Sequence, residues 1–149
     1  ACNFTAAATK TDGPNAAESP LGAAAHLPDD WQTRIPRDLA ALAPAWRDPD
    51  AYEGMTRAGG VDLPGEFAPV VALEELVIHG WDLARATGQR YEVGAVELDV
   101  ANGFLAQIAG ADPEVRGDAF SEPVALAATA SYLDRMVALS GRDPNWTAG

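Results

Sequence analysis

Apolar side chains recur at helical spacing from Phe67 to about Thr87, between Pro64-Gly65-Glu66 and Gly88. A stretch of that length and period predicts an amphipathic helix, and Gly88 suits the left-handed residue that closes one. A single such helix cannot bury its stripe alone, so others must pack on it. About Asp30 to Arg47 supplies one, with Trp31, Ile35, Leu39, Leu42 and Trp46 on one face and Asp29 or Asp30 as cap. Pro36 and Pro44 predict a kink or a break in it. About Val93 to Ile108 supplies another, with Val96, Val100, Phe104 and Ile108 at steps of four. A last helix is predicted over about Ala127 to Leu139, with Tyr132, Met136 and Leu139 on one side and Gly141 and Asp143-Pro144 ending it. The loop before it holds Asp112-Pro113, Gly117 and Glu122-Pro123.

The remaining segments read as connections. Phe4 to Thr9 reads as the last turns of a helix, with Lys10 suiting its dipole and Asp12-Gly13-Pro14-Asn15 breaking it. From there to about His26 the chain is small, polar and Pro/Gly-punctuated, which predicts a loop. Residues 51–65, with Gly54, Gly59, Gly60 and Gly65, predict a short hairpin or a lid. No convincing period-2 run stands out, so the expected class is all-α, a helical bundle.

The chain's 149 residues suffice for one domain with a core, expected over residues 1–149. Its 22 acidic against 10 basic residues give a net charge of −12. That argues against a nucleic-acid backbone as partner, which needs a basic face, and against electrostatic membrane-surface binding. No apolar run of about 18 residues is present to cross a membrane. The single cysteine, Cys2, cannot form an internal disulfide and has no basic neighbour in sequence to activate it. No signal-like segment opens the chain, and the expected location is the cytoplasm.

The chemistry concentrates in Leu73-Glu74-Glu75-Leu76-Val77-Ile78-His79-Gly80-Trp81-Asp82-Leu83-Ala84-Arg85-Ala86-Thr87-Gly88. On a helix Glu75 and His79 stack four apart, and Asp82 follows three further on. Ala72, Leu76 and Leu83 share that stripe, so the polar trio is expected on or beside a buried face. Polar groups there need a reason. A metal ion is one, since Glu-x-x-x-His offers an oxygen and a nitrogen from adjacent turns to zinc, iron or nickel. A plain hydrogen bond from His79 to Glu75 is the other, and spacing alone does not choose between them. Asp82 is then either an orienting partner of a ligand or half of a surface pair with Arg85. His26 reads as a solvated loop residue unless it folds back as a ligand. Trp31, Trp46, Trp81 and Trp146 read as packing anchors. The glycines form no phosphate-binding fingerprint, and neither GxSxG nor HExxH occurs.

Leu76 to Gly88 resembles the signature helix of an actinobacterial group of metal-binding proteins. They fall in the superfamily of DinB-like and mycothiol-dependent maleylpyruvate isomerase N-terminal domains. Trp46-Arg47-Asp48-Pro49, Glu53 to Val61, Leu63-Pro64-Gly65-Glu66 and Gly141-Arg142-Asp143-Pro144 also resemble that group. The resemblance implies a four-helix bundle of DinB type, up-down-up-down, and a homodimer. It implies a divalent metal held by an early histidine and a later Glu/His pair, which maps to Glu75 and His79. The early histidine has no counterpart. By this resemblance it would precede Ala1, together with the first helix and part of the second.

The resemblance further implies that the metal, zinc foremost and nickel or iron as alternatives, activates a low-molecular-weight thiol such as mycothiol. That thiol would act on a small electrophile. Asp82 would orient a ligand, and Arg57 and Arg85 are the cations first suspected of holding an acidic substrate or the thiol. A thiol-dependent transferase or isomerase is the leading reading. A non-catalytic metal-binding or dimerising helical domain, and a truncated relative without a working metal site, are the alternatives.

Overall fold

The computed structural model describes residues 1–11, 13, 27–116 and 120–148, and is mostly helical with one two-stranded sheet. The chain divides into two compact units, Ala1–Ala72 and Leu73–Gly149. Helix α3, Ala68–Ala86, starts in the first and continues into the second.

The first unit opens with α1, Cys2–Ala8, whose Ala6, Ala7 and Ala8 are buried. Thr9 closes it and Lys10 follows at φ 54. The Thr11 amide then donates to Ala6 O at 3.0 Å and the Lys10 amide to Ala7 O at 3.4 Å. This is a Schellman closure with lysine where glycine is usual. Lys10 Nζ donates to Ala51 O at 2.8 Å, which helps hold the residue in that conformation.

Helix α2 runs Trp31–Ala45 with Pro36 and Pro44 inside it, so of the expected kink or break the break does not occur. Its expected apolar face is mostly open: Leu42 is buried, whereas Trp31, Ile35 and Leu39 are exposed. A 3₁₀ turn, Pro49–Tyr52, is capped by Asp48, which accepts from the Asp50 amide at 3.1 Å. The anticipated hairpin follows as β1, Met55–Ala58, paired antiparallel with β2, Val61–Pro64. Gly59 and Gly60, at φ 57 and 86, make the two-residue turn, a pair of conformations that only glycine adopts cheaply. Period 2 is hard to see in strands of four residues, and this sheet is the departure from an all-helical reading. Thr56 Oγ1 donates to Ala7 O at 2.5 Å, joining β1 to α1. Ala7, Ala58, Leu63 and Ala68 form the core here, with Phe4, Trp46 and Val71 packed against it.

In the second unit α4, Ala95–Ala109, buries Ala101, Phe104 and Leu105, while Val96 and Val100 stay exposed. The four-residue helix α5, Pro113–Arg116, interrupts the predicted loop. The last helix, α6, Tyr132–Leu139, is shorter than expected. Ser131 starts it, its Oγ accepting from the Asp134 amide at 3.0 Å. Met136, Val137 and Ala138 are buried, α6 packs with α4, and Tyr132 is exposed. The loop expected up to His26 lies largely outside the described residues, as does His26 itself. Among the described residues no helix is long and apolar enough to cross a membrane.

Two glycines should respond oppositely to alanine. A Cβ on Gly65 would lie 2.8 Å from Tyr52 O and 2.9 Å from Ala51 O, backbone atoms that cannot step aside. Gly65→Ala is expected to cost about 1–3 kcal/mol. A Cβ on Gly103, within α4, meets nothing within 4 Å, so Gly103→Ala should gain about 0.5–1 kcal/mol. Urea unfolding of both variants reads the difference.

Candidate functional site

Helix α3 buries a different stripe from the one that carries the predicted trio. Glu74, Val77, Ile78, Trp81 and Ala84 are buried. Glu75, Leu76, His79 and Leu83 face outward, with the side chains of Glu75 and His79 44% and 60% exposed. Of the stripe expected to be buried with or beside Glu75, His79 and Asp82, Ala72 is buried, whereas Leu76 and Leu83 are exposed, and Asp82 is partly buried, so that expectation is corrected for Leu76 and Leu83. Leu73-Glu74-Glu75-Leu76 places two carboxylates about 100° apart, and the larger apolar arc lies on the side of Val77, Ile78 and Trp81.

The trio is nevertheless assembled. His79 Nε2 lies 3.2 Å from Glu75 Oε2, and His79 Nδ1 lies 2.9 Å from Asp82 Oδ2. One ring thus meets a carboxylate at each nitrogen, one turn to either side. Asp82 in turn receives Arg142, through Nε to Oδ1 at 2.7 Å and Nη2 to Oδ2 at 3.0 Å. The Arg142 Nη1 also donates to Ser140 Oγ at 3.2 Å. Burial raises the Asp82 carboxyl, but the bonds from Arg142 and His79 outweigh it and hold the group below its ordinary range.

Sequence reading did not single out Arg142. It reaches Asp82 because α6 ends in a tight turn: Gly141 takes φ 82, its amide donates to Ala138 O, and the Arg142 amide donates to Val137 O. That closure reverses the chain and returns the residue after the glycine toward the packed side. The local signal was present in Gly141-Arg142, but its target lies sixty positions away.

Arg85, the alternative partner for Asp82, is engaged elsewhere. Its guanidinium lies 5.4 Å from the Trp81 ring centre and donates to Pro144 O at 3.0 Å. Arg57 belongs to the first unit, on β1, where it donates to Gly60 O at 3.0 Å and approaches Asp62 at 3.7 Å. Tyr91 Oη donates to Val77 O at 2.7 Å on α3. Among the described residues no group of three or more His, Cys, Asp or Glu side chains is arranged to hold a metal ion.

Glu74 is the second group missed. It is 1% exposed and neither carboxylate oxygen has a hydrogen-bond partner. Burial, reinforced by the charge of Glu75, pushes its carboxyl up to about 7, against a weaker pull from Arg142. Beside Asp82, a cleft of about 400 Å³ is lined by Trp81, Asp82, Ala86, Arg142, Asp143 and Trp146. Compared with family models, curated proteins and solved structures, the chain matches none.

Glu74 makes stability depend on pH in a definite direction. A carboxyl raised from 4.5 to about 7 binds its proton more tightly in the folded chain. Folding stability should therefore fall as pH rises from 4.5 to 7, by on the order of 3 kcal/mol, and stay level above that. Glu74→Gln, which carries no charge to desolvate, should remove this contribution and be the more stable protein at pH 8. Denaturant midpoints of both proteins between pH 4.5 and 8 test it.

Proposed function

We propose that this chain is a DinB-like metal-binding protein, helical-bundle in type, in which Glu75 and His79 hold a divalent ion, zinc foremost. The observation that carries the reading is the relay Glu75–His79–Asp82–Arg142. Two donors each about 2.0–2.2 Å from one tetrahedral ion stand roughly 3.3–3.6 Å apart. Glu75 Oε2 and His79 Nε2 are 3.2 Å apart, so the donor pair fits such an ion with little movement. The other ring nitrogen meets Asp82, the carboxylate–histidine arrangement that fixes the tautomer and raises the basicity of a ligating imidazole. Arg142 holds that carboxylate in place.

A bound ion of this kind supplies a Lewis acid that favours the thiolate form of a small thiol such as mycothiol. The chain's own part is to present Glu75 and His79 on an open face, to orient the imidazole through Asp82, and to leave room for incoming ligands. The reaction class is thiol-dependent transfer to, or isomerisation of, a small electrophile. A cytoplasmic homodimer is the proposed setting.

A second reading is favoured by the exposure of the His79 ring and by its two carboxylate partners. Carrying a proton on each nitrogen, the imidazole satisfies both, and the relay is then an ion-pair brace on α3 without a metal.

Zinc titration of the whole chain by calorimetry, with metal content by mass spectrometry, separates the two. The metal reading expects one ion per chain, lost in Glu75→Ala and His79→Ala, with affinity about 10–100-fold weaker in Asp82→Asn. Zinc uptake indifferent to the first two substitutions would leave only the brace. Thiol-dependent turnover is then assayed on the zinc-loaded protein with mycothiol and a panel of electrophiles.

A further inference from the structure

We propose that the cleft between Trp81 and Trp146 binds a small arylalkyl ammonium, its ring against the indoles and its ammonium on Asp143. The proposal rests on the cleft alone and holds whether or not Glu75 and His79 take a metal.

The first argument is shape. A volume of about 400 Å³ falls within the range of small-molecule sites, which runs from about 300 to 1,000 Å³. Of the two indoles that line the cleft, Trp81 is almost fully buried and Trp146 is half exposed. Among the described residues the two indoles make no ring contact with each other. They bound a space rather than filling it, and an aromatic guest restores the ring packing that each otherwise lacks on that side.

The second argument is charge. Three ionised side chains line the cleft: Asp82, Arg142 and Asp143. Asp82 and Arg142 neutralise each other through their two-point contact. Asp143 Oδ1 accepts from the Asn145 amide at 2.9 Å and from Asn145 Nδ2 at 3.2 Å. Among the described residues no cation is paired with Asp143, and its second oxygen is left for a ligand. The Arg85 guanidinium, spent on Trp81 and on Pro144 O, is not among the lining groups. Among the lining groups Asp143 is the negative charge with no paired cation, and the Trp146 ring, unlike that of Trp81, has no guanidinium over it among the described residues, so its electron-rich face is the one that attracts a ligand's cation. A net charge of −12 draws cations toward the surface and turns anions away.

Calorimetric titration at pH 7.5 with 2-phenylethylammonium, 2-phenylethanol and phenylacetate tests this. The three share a ring and differ in the charge at its tether. The ammonium should bind about tenfold more tightly than the alcohol, and phenylacetate most weakly. Asp143→Asn should bring the ammonium down to the affinity of the alcohol and leave the alcohol unchanged. Trp146→Ala should weaken both by about tenfold or more. Asp143 and Trp146 are exposed, and circular dichroism of each variant establishes that it is folded. Failure of the ammonium to bind overturns the proposal. So does phenylacetate binding as tightly as the ammonium, a preference surviving in Asp143→Asn, or a folded Trp146→Ala that binds normally.

Discussion

The contact between Arg142 and Asp82 organises the second unit's candidate chemistry. It ties the segment after α6 to the middle of α3 by two short charged hydrogen bonds. With both side chains about one-third exposed, the pair adds on the order of 1–2 kcal/mol, less than a fully buried pair of the same geometry. Its larger effect is positional. Asp82 held from one side by a guanidinium can accept from His79 on the other, and the imidazole then has one orientation instead of several. The same pair forms part of the wall of the aromatic cleft. A single ion pair therefore bears on two features that are chemically unrelated.

Helix α3 divides its acidic residues by face. Glu75 meets its partner at an open surface, where a carboxylate costs little, and the partly buried Asp82 is kept charged by Arg142 and His79. Glu74 is enclosed, unpartnered and largely protonated at mildly acidic pH, the usual response of a carboxyl denied both water and a cation. The contrast arises from the rotation of one helix: adjacent residues lie about 100° apart, so Glu74 and Glu75 cannot share an environment. A buried group of this kind lowers stability at neutral pH. A protein that keeps one carries that cost in its core while its polar relay lies at the surface.

Much of the architecture was legible from local pattern. Three predicted helices appear near their expected places, because apolar spacing at 3.6 and glycine at a closing position are local signals. The glycines of residues 51–65 left a hairpin or a lid open, and the structure puts the hairpin turn at Gly59-Gly60, where both residues take positive φ. Residues 127–131 did not join the last helix, because Ser131 caps it from within the predicted span. The two prolines of α2 failed to divide it, and the stripe on that helix is largely uncovered, which periodicity cannot reveal. Periodicity reports that a face exists. It does not report which neighbour covers it.

What the sequence determined by itself was the proximity of Glu75, His79 and Asp82, because helical geometry brings residues three and four apart together regardless of surroundings. It also determined the acidic character of the chain and the positions of its turns. The tertiary structure alone decided that Glu75 and His79 face outward and Glu74 inward. It also paired Asp82 with Arg142 rather than Arg85, and brought Trp146 and Trp81 to one cleft. Each of these depends on contacts between segments up to sixty or more residues apart, fixed by which surfaces are buried when the chain packs rather than by any spacing along it.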